Sequence, residues 1–207
     1  MGRYTGPRNK IARRFGVNLG LKSNPTKVAK RLSQKPGVHG ASRRPKSTSS
    51  FGKQLEEKQK AKYIYGIREK QIRRYVNEAT KTNGDSGIFL QQILEMRLDN
   101  VIYRLGFAIT RAQARQMTTH GMFMVNGKKL DVPSHIVAVG DEITVKPNKN
   151  GKKIFDSLED RAKNYELPSW LQFNAATKTG KVISKPMKED FEQVFDVKFI
   201  IEYFSTR

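Results

Sequence analysis

The sequence predicts an α+β fold in which a basic extended N-terminus precedes a helical N-terminal domain and a helix-helix-β-hairpin module with a small antiparallel sheet. Three observations predict it. The first 55 residues contain no acidic side chain, apolar residues recur at helical spacing over 51–79, and helical spacing gives way to alternation within 97–145. The predicted segments are 1–50, 51–96, 97–160 and 161–207.

The net charge limits the partners of the protein. The 207 residues carry 40 Lys and Arg against 19 Asp and Glu, a formal charge of +21. An anionic partner must offset this repulsion, which favours nucleic acid or an anionic membrane. No stretch approaches the roughly 20 apolar residues of a membrane span, and the opening MGRYTGPRNK lacks the apolar core of a secretory signal. Nucleic acid is therefore the expected partner, and a membrane is not.

The absence of cysteine excludes disulfides, a cysteine nucleophile and thiolate metal sites, and it fits a reducing cell interior. His39, His120 and His135 are too scattered to suggest a metal site. No Ser/His/Asp or paired-carboxylate spacing suggests catalysis. We therefore expect no metal, no cofactor and no catalytic residue.

The N-terminal segment concentrates the positive charge. Residues 1–55 hold 14 of the 40 basic side chains, and glycine and proline recur there without an apolar period long enough for a core. A merely solubilising tail is the alternative, but such tails seldom omit acidic residues altogether. We therefore expect an extension that becomes ordered against RNA.

Apolar residues at helical spacing predict helices between Phe51 and Ala79, which Gly66 is expected to divide into two. Basic side chains on these helices suit phosphate contacts: Lys58, Lys60, Lys62, Arg68, Lys70, Arg73 and Arg74. Core packing, more than base stacking, is expected of three interleaved aromatic residues: Tyr63, Tyr65 and Tyr75. After a loop at 83–87, the run FLQQILEM predicts another short helix.

The central module begins with a helix whose apolar stripe has the spacing i, i+3, i+4 and i+7: Leu98, Val101, Ile102 and Leu105. Gly106 is expected to end it. Thr110 and Gln113 form a capping box for a second helix, which runs to about His120 and stops at Gly121. This helix carries two arginines four residues apart, on one face: Arg111 and Arg115.

A hairpin is expected after the second helix. Asn126–Gly127 is a strong two-residue turn, with Lys128 and Lys129 at its tip. Apolar residues alternate on both of its strands: Phe123, Val125, Leu130 and Val132. A turn at Gly140–Asp141 leads to a further strand with inward residues Ile143 and Val145.

The C-terminal part begins with a polar basic linker, PNKNGKK. Trp170 is expected to anchor a strand whose hairpin partner is KTGKVI at 178–183. The final run VKFIIEYF at 197–204 is apolar enough to dock on the rest of the chain.

Two motifs resemble catalytic signatures without matching them. The glycines at 121 and 127 resemble a phosphate loop, but the spacing is too long and Lys129 replaces the hydroxyl residue that would hold magnesium. Arg97-Leu98-Asp99 resembles the core of pseudouridine synthases, but it lies at the start of a helical stripe. We expect Asp99 to cap the helix or form a salt bridge.

Several long motifs carry a family resemblance: RYTGPR at 3–8, PGVHGASRRPK at 36–46, FGKQLEEKQKAKYIYGIREKQIRRY at 51–75, LEMRLDNVIYRLGFAITRAQARQM at 94–117, PSWL at 168–171 and FIIEYFS at 199–205. With the VNGK turn, the chain resembles bacterial-type small-subunit ribosomal protein S-four nearly end to end. The central block alone, the S-four-type alpha-L motif, is shared with synthetases, pseudouridine synthases and rescue factors. The flanking motifs make the resemblance specific.

The resemblance implies a structural constituent of the small ribosomal subunit and not an enzyme. Members bind the 5′ domain of small-subunit (16S-type) rRNA, nucleate assembly of the body, contribute to translational accuracy, and in some cases repress their own mRNA. The implied partners are rRNA, ribosomal proteins S-five and S-three, and mRNA near its entrance, with the protein a monomer within the ribosome. The implied location is the cytoplasm, in preference to an organelle. An RNA-modifying enzyme and a free mRNA regulator are the alternatives.

The residues expected to bind RNA, from the basic segments and the resemblance together, are Arg3, Arg8, Lys10, Arg13, Arg14, His39, Arg43, Arg44, Lys46, Lys53, Lys58, Arg68, Arg73, Arg74, Arg111, Arg115, His120, Lys128 and Lys129. Many relatives have N-terminal cysteines that can hold zinc, and this chain has none. Metal binding is therefore not carried over from the family.

Overall fold

A computed structural model describes residues 4–40, 48–156, 158 and 165–205. The chain divides into two compact units. Unit 1 contains Met1–Gln91 and Glu192–Arg207, and unit 2 contains Gln92–Phe191. The expected RNA-binding residues Arg3, Arg43, Arg44 and Lys46 lie outside the described residues.

The described part of the chain contains eight α-helices, which are α1 Arg8–Phe15, α2 Pro25–Ala29, α3 Ser50–Ile64, α4 Glu69–Lys81, α5 Ser86–Glu95, α6 Leu98–Arg104, α7 Arg111–Thr119 and α8 Val197–Ser205. Helices α1 to α4 and α8 belong to unit 1, α6 and α7 belong to unit 2, and the chain passes from one unit to the other within α5. None of these helices has both the length and the apolar character needed to cross a membrane.

Unit 2 contains a five-stranded antiparallel sheet of order β2-β1-β3-β5-β4. Its strands are β1 Phe123–Val125, β2 Lys128–Lys129, β3 Glu142–Val145, β4 Leu171–Asn174 and β5 Thr179–Val182. Short 3-10 turns at Pro147–Lys149 and Lys153–Phe155 occupy the segment expected to be a linker, and a third lies at Lys188–Asp190.

The N-terminal segment differs from the expected extension, because residues 8–29 include α1 and α2. Gly16, with φ of +68°, ends α1, and the side chain of Asn24 accepts a hydrogen bond from the Lys27 amide to cap α2. Four scattered apolar residues of this segment are buried: Ile11, Ala12, Leu19 and Val28. Aromatic contacts of Tyr63 on α3 with Tyr4 and Phe15 hold the segment.

The break between α3 and α4 falls at Gly66, as predicted. Gly66 has φ of +60°, and the amides of Gly66 and Ile67 donate to the carbonyls of Tyr63 and Lys62 in a Schellman motif. The expected packing role of the tyrosines is also confirmed: Tyr65 is buried against the ring of Phe195, Tyr75 is fully buried on α4, and the half-buried Tyr63 packs on Tyr4 and Phe15.

Helix α8 docks on α3, which confirms the expected docking of the apolar C-terminal run. The rings of Phe51 and Tyr203 stack with centroids 5.7 Å apart. The amide of Gln54 donates to the carboxylate of Glu202 at 3.2 Å, and Ile200 is fully buried. These contacts are made within unit 1.

The core of unit 2 lies between the pair α6–α7 and the sheet. The predicted stripe of α6 is buried throughout: Leu98, Val101, Ile102 and Leu105. Gly180 on β5 is required by close packing, because a Cβ there would lie 2.7 Å from Cδ2 of Leu105. Trp170 immediately precedes β4 and is fully buried, and β4 pairs with β5 as the expected hairpin.

The returning strand of the first hairpin is shorter than predicted. Strand β2 ends at Lys129, and Val132 is exposed instead of continuing the ladder. The following segment instead accepts hydrogen bonds from the start of α6: the amide of Leu98 donates to the carbonyl of His135, and that of Asp99 to the carbonyl of Pro133. The N–H groups at the start of a helix have no partner within the helix, and here the carbonyls of residues 133 and 135 accept from them. The chain therefore turns toward α6 after Lys129 and does not continue the hairpin.

The units divide the C-terminal segment differently from the predicted boundary at residue 161. Strand β5 pairs with β3 at Ile143 and Gly180, so residues 165–191 belong with the module in unit 2. The apolar face of α8 packs on α3, so the last helix belongs to unit 1. Pairings between residues far apart in sequence set this division.

Candidate nucleic-acid interface

Asp99, at the start of α6, is held between two guanidinium groups. Nε and Nη2 of Arg97 donate to its two carboxylate oxygens at 3.0 and 2.8 Å, and Nη1 of Arg115 on α7 donates at 2.8 Å. Arg97 is fully buried and Asp99 nearly so. Buried charges of this kind require paired partners, so the expected salt-bridging role of Asp99 is confirmed.

A second buried carboxylate orients the other arginine of α7. Glu95 accepts hydrogen bonds from Nδ2 of Asn100 at 2.8 Å and from Nε and Nη2 of Arg104 at 2.9 and 3.0 Å. Oδ1 of the same Asn100 accepts from Nε of Arg111 at 2.7 Å. The guanidinium of Arg111 also lies 4.6 Å from the ring centroid of Tyr103.

These two networks place more positive than negative charge at one side of the α6–α7 pair. The carboxylates of Glu95 and Asp99 are contacted by four arginines, directly or through Asn100, so a net charge of +2 remains. Arg111 and Arg115 are each half-buried on α7, whereas Arg97 is fully buried. The networks fix the guanidinium groups in place, which lowers the entropy cost of binding an anion.

The tip of the β1–β2 hairpin lies beside the end of α7. Asn126 and Gly127 have φ of +49° and +74°, which confirms the predicted turn. The side chain of Lys129 covers Gly121, where a Cβ would lie 2.7 Å from its Cε. Lys128 and His120 are exposed at the same two elements. The fold therefore brings the helix end and the hairpin lysines together.

Unit 1 presents a separate group of cations. Arg68, Arg73 and Arg74 are exposed on α4 or at its start, and Lys53 is exposed on α3. Of the residues near the N-terminus that were expected to bind RNA, Lys10, Arg14 and His39 are exposed. Two other arginines bind backbone carbonyls: Arg8 donates to that of Leu21 at 3.2 Å, and Arg13 to that of Gln34 at 2.8 Å.

Comparison with known proteins identifies the family. The profile described as ribosomal protein S4/S9 N-terminal domain matches residues 3–95, and that of the S4 domain matches residues 96–143. Small ribosomal subunit protein uS4 of Herpetosiphon aurantiacus is 47% identical over 210 residues, covering 99% of this chain and 100% of the relative. The chain belongs to the uS4 family of small-subunit ribosomal proteins.

Other uS4 relatives match over the same length. The uS4 protein of Chloroflexus aurantiacus is 42% identical and that of a Sulfurihydrogenibium species is 44% identical, each covering 99% of this chain and 100% of the relative. This is the S-four family that the sequence motifs indicated. It is a family of ribosomal structural proteins and not of enzymes.

One residue expected to bind RNA is buried in the folded chain. Lys58 on α3 is only 3% exposed, and its ammonium is bonded to the carboxylate of Glu69 and lies 4.0 Å from the ring centroid of Tyr203. It cannot reach a phosphate without breaking these contacts. Lys58 is therefore covered in the folded chain, because α8 packs on this side of α3, and its role in RNA binding stays a prediction.

Three members of the two networks were not predicted from the sequence. Glu95, Asn100 and Arg104 lie within the family motif at 94–117 but were given no role there, yet they position Arg111 or neutralise its surroundings. The sequence signal that could have found them is the placement of two acidic residues, at 95 and 99, between the apolar residues Leu94, Met96 and Leu98. Among the described residues, no group of three or more His, Asp or Glu side chains could hold a metal ion.

Proposed function

We propose that this chain is a structural constituent of the small ribosomal subunit in the cytoplasm, where it binds the 5′ domain of small-subunit rRNA and nucleates assembly of the body. The observation that most supports this proposal is that two buried carboxylates fix the arginines of α7. Asp99 holds Arg115 directly, and Glu95 holds Arg111 through Asn100. Membership of the uS4 family, with relatives matched end to end, supports the same proposal.

The mechanism is electrostatic positioning of RNA helices. A multi-helix RNA junction brings phosphates together, and protein cations lower that repulsion while counterions are released. In unit 2 the contacting groups are Arg111, Arg115, His120, Lys128 and Lys129. In unit 1 they are Arg8, Lys10, Arg13, Arg14, His39, Lys53, Arg68, Arg73 and Arg74, with Arg3, Arg43, Arg44 and Lys46 of the N-terminal segment. Recognition is mainly of backbone and shape, because A-form grooves hide base edges.

The finer roles follow from the family resemblance. Within the subunit the chain is a monomer beside ribosomal proteins S-five and S-three, near the mRNA entrance, and it contributes to translational accuracy. Repression of its own mRNA would use the same RNA-binding surface. An RNA-modifying activity based on Arg97-Leu98-Asp99 is disfavoured, because both oxygens of Asp99 are bonded to arginines.

The decisive experiment measures binding of the full chain to a transcript of the 5′ domain and to an unrelated folded RNA of equal length across a salt series. Non-specific binding should weaken by orders of magnitude on raising salt from about 50 to about 200 mM. We expect the 5′-domain transcript to remain bound tightly at the higher salt while the unrelated RNA dissociates. Equal dissociation of both RNAs would refute the proposed target.

Two double variants of unit 2 test the surface. Lys128→Gln with Lys129→Gln removes the hairpin cations, and Lys181→Gln with Lys185→Gln removes the same charge from other positions of the same unit. The hairpin variant should reduce the slope of log affinity against log salt by about 1 for each phosphate that the variant no longer binds. The control should leave the slope nearly unchanged, and equal effects would show that only overall charge matters.

A further inference from the structure

Unit 1 contains a cleft between α4 and α8. It has a volume of about 340 Å³ and is lined by Glu69, Lys70 and Arg73 from α4 and by Tyr203 and Phe204 from α8. Aromatic rings therefore form one wall, and charged groups form the other. Lys70 and Arg73 are among the basic residues expected to suit phosphate contacts, but the aromatic wall has no role in the RNA-binding surface described above.

The aromatic wall is fixed by contacts beneath it. The ring of Tyr203 stacks with Phe51 at 5.7 Å and lies 4.0 Å from the ammonium of Lys58, and only 7% of the residue is exposed. The ring of Phe204 packs edge-on against Tyr203, with centroids 5.2 Å apart and planes at 87°. Phe204 is half-buried, so part of its ring faces the cleft from a fixed position.

The charged wall is positive despite its one acidic residue. The carboxylate of Glu69 is bonded to Lys58 and lies 3.3 Å from the ammonium of Lys62. Burial alone would raise the pKa of Glu69, but the hydrogen bond and charge of Lys58 and the charge of Lys62 outweigh burial and lower that pKa. The carboxylate is therefore ionised and matched by these two lysines.

Two further cations remain for a ligand. Lys70 and Arg73 are exposed, and within the described residues neither forms a salt bridge. With Glu69, Lys58 and Lys62 included, the five groups carry a net charge of +3. The cleft thus combines an aromatic ring held by its neighbours with two exposed cations.

We propose that this cleft binds one unpaired RNA nucleotide, with its base against the ring of Phe204 and its phosphate held by Lys70 and Arg73. Single-stranded RNA is recognised by such pairs of aromatic stacking and backbone cations. The volume of the cleft lies near the lower end of the roughly 300–1,000 Å³ typical of small-molecule sites, which suits a single nucleotide. The proposal rests on the proposed function, because it names a subsite within rRNA binding.

The first test uses nucleotides without rRNA, on the full chain. Titration with adenosine monophosphate and uridine monophosphate should shift backbone amide NMR signals of α4 and α8 in the wild type. The shifts should persist in Phe204→Tyr, which keeps the ring, and disappear in Phe204→Leu, which keeps apolar volume but not the aromatic face. An acidic peptide containing phenylalanine should give no shifts. Shifts with the peptide and none with the nucleotides would overturn the proposal in favour of a protein partner.

The second test uses the 5′-domain transcript. Removal of one stacking ring weakens single-strand binding by roughly 5- to 150-fold in Kd, which is the range we expect for Phe204→Leu at fixed salt. Chemical probing of the bases should show one unpaired nucleotide that the wild type and Phe204→Tyr protect and Phe204→Leu does not. An unchanged Kd and protection pattern in Phe204→Leu would overturn the proposal.

Phe51→Leu is the control for loosening of α8, because Phe51 stacks on Tyr203 without lining the cleft. It should keep the protected base. If it abolishes that protection as Phe204→Leu does, the effect is structural and the proposal fails. Lys70→Gln with Arg73→Gln should reduce the salt slope by roughly 0.7 to 1.4, for one or two phosphates. The charge-matched Lys81→Gln with Lys198→Gln should not.

The two tests separate the subsite from the proposed function. If nucleotides bind the cleft but the 5′-domain transcript is not preferred over unrelated RNA, the proposed rRNA target fails and the nucleotide site stands. If the transcript is preferred but no nucleotide shifts and no Phe204-dependent protection are found, the proposed function stands and the subsite is refuted.

Discussion

The guanidinium of Arg115 on α7 donates a hydrogen bond at 2.8 Å to the carboxylate of Asp99 at the start of α6. Arg115 therefore has two roles, since it neutralises a buried acid and also places positive charge at the surface of the module. The same carboxylate binds the fully buried Arg97. The stability of unit 2 and the position of the Arg115 guanidinium thus depend on one acidic side chain.

Replacement of Asp99 by Asn should destabilise unit 2 strongly. The variant leaves the buried guanidinium of Arg97 without its carboxylate, and removing one partner of a buried ion pair costs about 3–5 kcal/mol. Urea unfolding measures the decrease in stability. Asp131→Asn is the matched control, because its salt bridge to Lys129 is about half exposed, and it should cost less than about 1 kcal/mol. Equal costs for the two variants would contradict the structural role of Asp99.

The burial of Lys58 predicts that its replacement affects folding more than RNA binding. Lys58→Met keeps the apolar stem but removes the ammonium that contacts Glu69 and the ring of Tyr203, at a cost of about 1 kcal/mol. At equal concentrations of folded protein, the variant and the wild type should bind the 5′-domain transcript with the same affinity. Lys53→Met, on the exposed side of the same helix, should weaken RNA binding without destabilising the protein. If Lys58→Met instead weakened RNA binding without loss of stability, Lys58 would be an RNA contact and this prediction would be wrong.

The lowered pKa of Glu69 predicts an acid-dependent decrease in stability. A carboxylate whose folded pKa lies below its ordinary value of 4.5 stabilises the protein above that value and ceases to do so as the pH falls through the folded pKa. Glu69→Gln should therefore reduce stability at pH 7 and flatten its decline below about pH 4.5. Urea unfolding across pH measures this. Glu78→Gln, at an exposed position of α4, should retain the wild-type decline.

The packing of Gly180 on Leu105 predicts that position 180 of the sheet does not tolerate a side chain larger than glycine. An added Cβ would lie 2.7 Å from Cδ2 of Leu105, so Gly180→Ala should cost about 1–3 kcal/mol through overpacking. Gly151→Ala, where the added Cβ meets nothing within 4 Å, should be neutral. Thermal unfolding compares them. In the presence of Leu105→Ala, the added cost of Gly180→Ala should shrink, and an undiminished cost would rule out this contact as the cause.

The sequence by itself determined the local features of this protein. The break at Gly66, the end of α6 at Gly106 and the Asn126–Gly127 turn follow from backbone conformations that glycine and asparagine adopt readily. The sequence also predicted the capping of α7 by Thr110, whose side chain accepts from the amide of Gln113. The side chain of Gln113 accepts from the amide of Ile109, whereas a capping box would use the amide of Thr110. The family was readable too, because its motifs are long and cover most of the chain.

The tertiary structure alone decided which charged residues are available to a partner. Lys58 and Lys53 look equivalent as basic residues of α3, but α8 packs over the first and leaves the second exposed. Likewise, only the arrangement of α6 beside α7 pairs Arg115 with Asp99, and only the β3–β5 pairing assigns residues 171–182 to the module. Glycine conformations and helical spacing are local and therefore appear in the sequence. Burial and ion pairing depend on residues distant in sequence, so the folded chain determines them.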